Sequence, residues 1–334
     1  MSIFSKKEEY YDDEEGELEE TSRSRRIKDL NPGSKKKRKE PTKPWGKKER
    51  LFILSLFFAT VLTAGISAAS ARDWKLPGLP RLKLSKPSLN FNFLGEETIS
   101  IGKKPQEAEK SENAIKAFKD KTDDLSGVYA LYVLRLDSGV SYGVNEDEVR
   151  QAASLIKLPL MAAVYMESEK GGLSLSDKAA GQARTYQELV AAMGKRSDNE
   201  AFRIVRNTIG DTKINEVIRK FGMTKTNVEE NETSPKDIGI FFEKLWKAEQ
   251  ISKGSRDAIL NDLTDTIFED WLVAGIPDVR VAHKYGREVH VVNDAGIVFT
   301  QKPFVLVIMT QGVVEREADE VIAELAKAVY EIEK

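Results

Sequence analysis

The sequence predicts an α+β domain of two lobes carried behind one membrane-spanning helix. Three observations predict it. An uncharged apolar run, Leu51 to Ala71, is as long as a bilayer is thick. From about Gln106 the pattern becomes globular, with strand-like segments at both ends. Between those ends lies a long, mostly helical block.

The chain has 334 residues, 32% of them charged, yet a net charge of only −2. That balance hides an asymmetry. Glu8 to Glu20 is mostly acidic, Arg23 to Arg50 mostly basic, and the rest is mixed. Residues 1–50 show no apolar periodicity and cannot bury enough surface to offset their ordering entropy, so they read as a disordered charged tail. The run Lys35-Lys36-Lys37-Arg38-Lys39 leaves a nucleic-acid contact open, but a cytoplasmic tail beside anionic lipid is the simpler reading, and no nucleic-acid partner is expected.

The run at 51–71 would make about 30 Å of helix at roughly 1.5 Å per residue, enough to cross the hydrocarbon core. Lys47, Lys48 and Arg50 precede it, so the positive-inside rule keeps the N-terminus in the cytoplasm and puts everything after Arg72 outside. Ala69-Ser70-Ala71 resembles a signal-peptide cleavage site, the main rival reading; the long preceding tail speaks against it. Residues 72–105, with Pro77, Pro80, Pro87 and Pro105, read as an extended spacer, and 106–334 as the folded domain.

Within that domain a helix with Ala114, Ile115 and Phe118 on one face comes first. GVYALYVLRL (127–136) then reads as a strand, Asp137-Ser138-Gly139 as a turn and VSYGV as its hairpin partner. The helical block runs from Ser154 to about Ala248, broken at Gly171-Gly172, Gly194 and Gly210. Strands return in VHVVNDAGIVF and PFVLVIMTQ, and an amphipathic helix from Glu315 closes the chain with Val321, Ile322, Leu325 and Val329 inward. A cleft between the two lobes is the default place for a site.

The chain has no cysteine and two histidines, His283 and His290. Thiolate chemistry and disulfides are excluded, and a Ser-His-Asp triad or multi-histidine metal centre is poorly supplied. Three short motifs remain. Ser154-Leu155-Ile156-Lys157 puts a hydroxyl and an amine one turn apart on a helix, and a desolvated lysine can take a serine's proton. Alone the spacing means little, since Ser34 and Lys37 share it. Ser197-Asp198-Asn199 sits between two helices, where capping would explain it equally well. Lys284-Tyr285-Gly286 lies in a strand-like stretch, where a lysine can hold an anion and a glycine lets backbone approach.

In that order, on those elements, the motifs resemble the S-x-x-K, S-D-N and K-[ST]-G signature of class A β-lactamases and penicillin-binding proteins. The flanks QAASLIK, GGLSLSD, TSPKDIGIFFEKL and AGIPDVRVAHKYG are similar to the family too, so the resemblance spans roughly Ala114 to the C-terminus. It implies the β-lactamase/transpeptidase-like fold, an antiparallel sheet flanked by helices plus an all-helical lobe. It also implies an acyl-enzyme on Ser154, with Lys157 as proton acceptor and Ser197 relaying a proton to the leaving nitrogen. Lys284 would hold the substrate carboxylate, Asn199 its amide, and the backbone N–H groups of Ser154 and Arg287 the oxyanion. Tyr285 and Gly286 would border the substrate. No metal or cofactor is required.

Two departures stand out. Tyr285 replaces the family's Thr or Ser, which moves the hydroxyl outward. MTKTNVEENETSPKD lacks the family's Trp-Glu-Pro-Glu-Leu-Asn-like loop, and Glu229, Glu230 and Glu232 read as surface carboxylates. The expected substrate is a β-lactam or a peptidoglycan peptide. A D,D-carboxypeptidase-like peptidase and a catalytically silent cell-wall-binding domain are the alternatives.

Overall fold

The structure, a computed structural model, describes residues 47–70, 97–100 and 105–334. Residues 1–46 of the charged tail expected over 1–50, and most of the spacer expected over 72–105, lie outside them. Helix α1 (Lys47–Ser70) covers the apolar run, with side chains described over 52–63, all exposed. Among the described residues no helix is long and apolar enough to cross a membrane.

One strand falls where the sequence suggested only a spacer. β1 (Glu97–Ser100) pairs antiparallel with β3 (Ser141–Val144), because β3 would otherwise leave an edge with unpaired backbone groups. Then follow α2 (Pro105–Thr122), β2 (Val128–Arg135), β3, the two-residue β4 (Arg150–Gln151) and α3 (Lys157–Glu169). The helical lobe continues through α4 (Tyr186–Arg196), α5 (Asn199–Ile209) and α6 (Asp211–Lys220). After the short β5 (Glu232–Thr233) come α7 (Pro235–Lys247), α8 (Lys253–Asp262) and the one-turn α9 (Leu272–Gly275). β6 (Val281–Glu288), β7 (Val291–Val298), β8 (Phe304–Gln311) and α10 (Glu315–Glu333) close the chain.

The main sheet is antiparallel in the order β1-β3-β2-β8-β7-β6. Both faces are covered, so β2 and β8 are apolar on both faces over most of their length rather than alternating. In β2, Ala130, Tyr132 and Leu134 join the core shared with α3, α4 and α7, while Tyr129, Leu131 and Val133 join the layer formed with α2, α9 and α10. The period of two sorts one strand between two cores. Helix α7 approaches so closely that a Cβ on Gly239 would lie 2.2 Å from the Tyr132 ring.

The last helix is anchored by a buried ion pair. Glu333 takes hydrogen bonds from Arg135 Nε at 2.7 Å and Nη2 at 2.8 Å, and from the Tyr142 hydroxyl at 2.8 Å. Burial, then the Glu333 charge, push the Tyr142 hydroxyl well above its usual range, so it stays a donor. Removing one member leaves the other charge buried and unpaired. Glu333→Ala is expected to lower stability by about 3 to 5 kcal/mol, read as a fall in the urea midpoint; an unchanged midpoint would refute that role.

Candidate active site

The sequence placed Ser154 at the start of a helix. It sits instead in a 3-10 turn, Ala153–Ile156, that runs straight into α3. Pro159 falls in the first turn of α3, where a missing N–H costs nothing. Ala153, just before the serine, has φ +49°, a left-handed conformation costing on the order of 1 kcal/mol for a residue with a side chain.

The surroundings hold that turn on both sides. Buried Asn293 of β7 donates from Nδ2 to the carbonyls of Gln151 (3.0 Å) and Ala152 (3.2 Å), and its Oδ1 accepts from Thr310 N–H at 2.9 Å. The Ala152 N–H donates to the Asn231 carbonyl at 2.8 Å, and β4 pairs with β5 beside it. The segment 221–234 is thereby tied to the serine turn.

Lys157 is 2% exposed, with its amine at the centre of the site. Nζ lies 2.8 Å from Ser154 Oγ, 2.7 Å from the Ser197 carbonyl, 2.7 Å from Asn199 Oδ1 and 3.1 Å from Ser197 Oγ. The carbonyl and the amide oxygen can only accept. A neutral amine therefore gives them its two protons and keeps its lone pair for the serine hydroxyl. Burial lowers the Lys157 amine to about 8, with Asp198 and Glu288 opposing part of the fall.

Ser197 presents its carbonyl because it ends α4 in a left-handed conformation, φ +52°. Asp198 caps α5, accepting from Ala201 N–H at 2.9 Å, and is fixed by Arg184 at 2.9 Å. The motif is both a helix cap and a wall of the site.

β6 is the edge strand beside the serine turn. A Cβ on Gly286 would stand 2.7 Å from Ser154 N, so only glycine allows this approach. Lys284 is fully buried and donates to the Tyr285 carbonyl at 2.7 Å. Burial, then the neighbouring Lys157, drive its amine well below the usual lysine range. Tyr285 and Arg287 turn their side chains elsewhere. The Tyr285 ring tilts on Phe268 at 5.1 Å between centroids, and the Arg287 guanidinium lies over Trp271 and pairs with Asp319.

Ser154, Lys157, Ser197 and Asn199 thus form one hydrogen-bonded cluster, with Gly286 against it. A model of the β-lactamase enzyme family matches residues 110–332. The chain belongs to that family. The solved structure of PBP-A is similar at 26% identity and TM-score 0.60, over 66% of this chain and 95% of that one. A mutant of PBP-A, described as an acyl-enzyme complex with penicillin-G, is 25% identical over 67% and 96%, also at TM-score 0.60. A β-lactamase from Sphaerobacter thermophilus shares the fold at 23% identity and TM-score 0.61, over 66% and 96%. No curated protein matches the chain.

Along residues 221–234 the cleft, about 130 Å³, is lined by Val228 and Asn231, whereas Glu229, Glu230 and Glu232 are exposed and absent from its wall. A carboxylate does reach the cleft, from the end of β6: Glu288. Sequence reasoning missed it, along with Asn231, Phe202 and Arg206 on the other walls. Strand alternation was the available signal, since Lys284, Gly286 and Glu288 share one strand face. Among the described residues no group of three or more histidines or acids could hold a metal ion.

Gly286→Ala forces β6 away from the serine turn. A displacement of this size is expected to slow reaction at Ser154 about 100-fold while leaving far-UV circular dichroism unchanged, as tested by labelling kinetics.

Proposed function

We propose that the chain is a membrane-anchored active-site-serine hydrolase that opens β-lactam or related amide bonds through an acyl-enzyme on Ser154. The Lys157 amine carries this reading: two obligate acceptors take its protons, and its third direction meets Ser154 Oγ at 2.8 Å. Neutral Lys157 accepts the serine proton as Oγ attacks the carbonyl. The backbone N–H groups of Ser154 and Arg287 stabilise the oxyanion. As the C–N bond breaks, Ser197 passes a proton to the departing nitrogen. Lys284 holds the substrate carboxylate, whose negative charge favours the protonated amine, and Asn199 holds the amide. Hydrolysis of the Ser154 ester then regenerates the enzyme.

One observation favours a D,D-carboxypeptidase-like cell-wall peptidase as the second reading. The segment at 221–234 brings Val228 and Asn231 to the cleft and no carboxylate, so a bulky acyl-enzyme should be hydrolysed slowly. A silent binding domain is the poorer fit, because burying two amines serves no purpose in a passive site. Release of D-alanine from a pentapeptide, against turnover of a chromogenic cephalosporin, separates the two enzymatic readings.

A fluorescent penicillin is expected to label the protein at Ser154, and Ser154→Ala to abolish the label; absence of label on the intact protein sinks the proposal. Because the base is the neutral amine of a lysine lowered to about 8, the acylation rate rises with pH through about 8 and then levels. A stopped-flow profile that is flat or falling across that range would refute Lys157 as the base.

Anchoring rests on the apolar run at 51–71 and its basic flank, with the N-terminus cytoplasmic and the hydrolase domain outside. The full chain is expected in the alkali-washed membrane pellet, with its domain open to added protease in spheroplasts; recovery in the soluble fraction would refute this.

A further inference from the structure

We propose that Glu288, held in place by Asn231 and Gln151, forms an ammonium-binding subsite on the acyl side of the scissile bond. The inference rests on the Ser154 reading above and adds a substrate class: amides whose acyl group carries a primary ammonium near the reacting carbonyl.

The polarity of the cleft comes from β6. Lys284, Gly286 and Glu288 are alternate residues on one strand face, spanning about 13 Å at the usual rise. Gly286 lies against the Ser154 backbone, so the reacting carbon sits near the middle of that span. The Lys284 end, within electrostatic reach of Lys157, suits an anionic leaving portion. The Glu288 end is left to the acyl group.

The chemistry of that end is one-sided. Glu288 Oε2 accepts from Gln151 Nε2 at 3.0 Å and Oε1 from Asn231 Nδ2 at 3.1 Å, two neutral amides that fix the carboxylate without cancelling its charge. Because Asn231 points its NH₂ group at Glu288, its Oδ1 faces away; that atom is buried and takes no hydrogen bond from the protein. Asn231 is held in this pose at φ +55°. A carboxylate on the cleft wall, held by two neutral amides and left with its charge, calls for a group with a positive charge and N–H donors. The other cation bordering this cleft besides Lys157, Arg206, is engaged by Asp211 at 2.6 and 2.8 Å. Glu288 also borders a neighbouring groove of about 600 Å³ lined by Val289, His290, Val291 and Gln311, which gives the rest of an acyl chain somewhere to lie.

The test uses the intact protein and three penicillins with the same phenyl side chain, its α-carbon bearing hydrogen, an ammonium or a carboxylate. The rate of Ser154 acylation by each is followed by intact mass. The expected order is ammonium, neutral, anionic, with the ammonium compound favoured over the neutral one by about fivefold, the size of one partly exposed ion pair. In Glu288→Gln that ratio should fall to about one, and in Glu288→Lys the anionic compound should lead. Ratios taken within one preparation cancel any loss of folded protein. A ratio near one in the unaltered protein, or a ratio that survives Glu288→Gln, overturns the subsite while leaving the hydrolase reading intact. Failure of all three to label Ser154 overturns both.

Discussion

Burial of the Lys157 amine is the constraint on which the rest of the site depends. An amine taken out of water must either give up its proton or find acceptors for every N–H. Here it meets two acceptors that cannot donate and two hydroxyls that can, Ser154 the nearer of them. The desolvation that makes the residue costly to fold is the same effect that lowers its amine to about 8 and lets it shed a proton beside a serine. Lys284, equally buried a short distance away, sharpens this, because two ammonium charges in one dry pocket repel.

Much of the architecture serves to keep that amine in place. The helical lobe supplies Ser197 and Asn199, the sheet supplies Gly286 and Asn293, and the serine turn is clamped between them. The two lobes meet through polar contacts at the cleft and through apolar cores elsewhere. Asn293 illustrates the economy: one buried amide satisfies two carbonyls that an awkward turn would otherwise leave without donors.

The fold was largely legible in the sequence because its signals are local. Apolar runs in β2, β7 and β8 and the 3.6-residue pattern of α2 and α10 announce themselves within a dozen residues. The motif residues Ser154, Lys157, Ser197 and Asn199 were legible by order, though no single motif carried the assignment. What escaped was set by tertiary contact. The left-handed Ala153 has no sequence mark, since alanine ordinarily avoids that conformation. Pairing of Glu97–Ser100 depends on a partner more than 40 residues away. Asn231 and Glu288 meet across 57 positions, and only the pleat of β6 connects Glu288 to the lysine of its motif. Tyr285 was expected to border the substrate, but alternation sends its side chain to the opposite layer; the Arg287 side chain goes there too, while the role expected of Arg287 was its backbone N–H.

Ala153 and Asn231 line the same small space and Ser197 holds the Lys157 amine beside it, and all three keep a side chain where glycine would be at ease. Each gives up on the order of 1 kcal/mol to do so. The domain is therefore less stable than its topology permits, and part of that deficit, beside what five other left-handed residues among those described give up elsewhere, lies at the site itself. Gains in thermal tolerance are available at these three positions, and they come at the expense of aim. Robustness and reactivity compete in this protein over a handful of backbone angles rather than over its core.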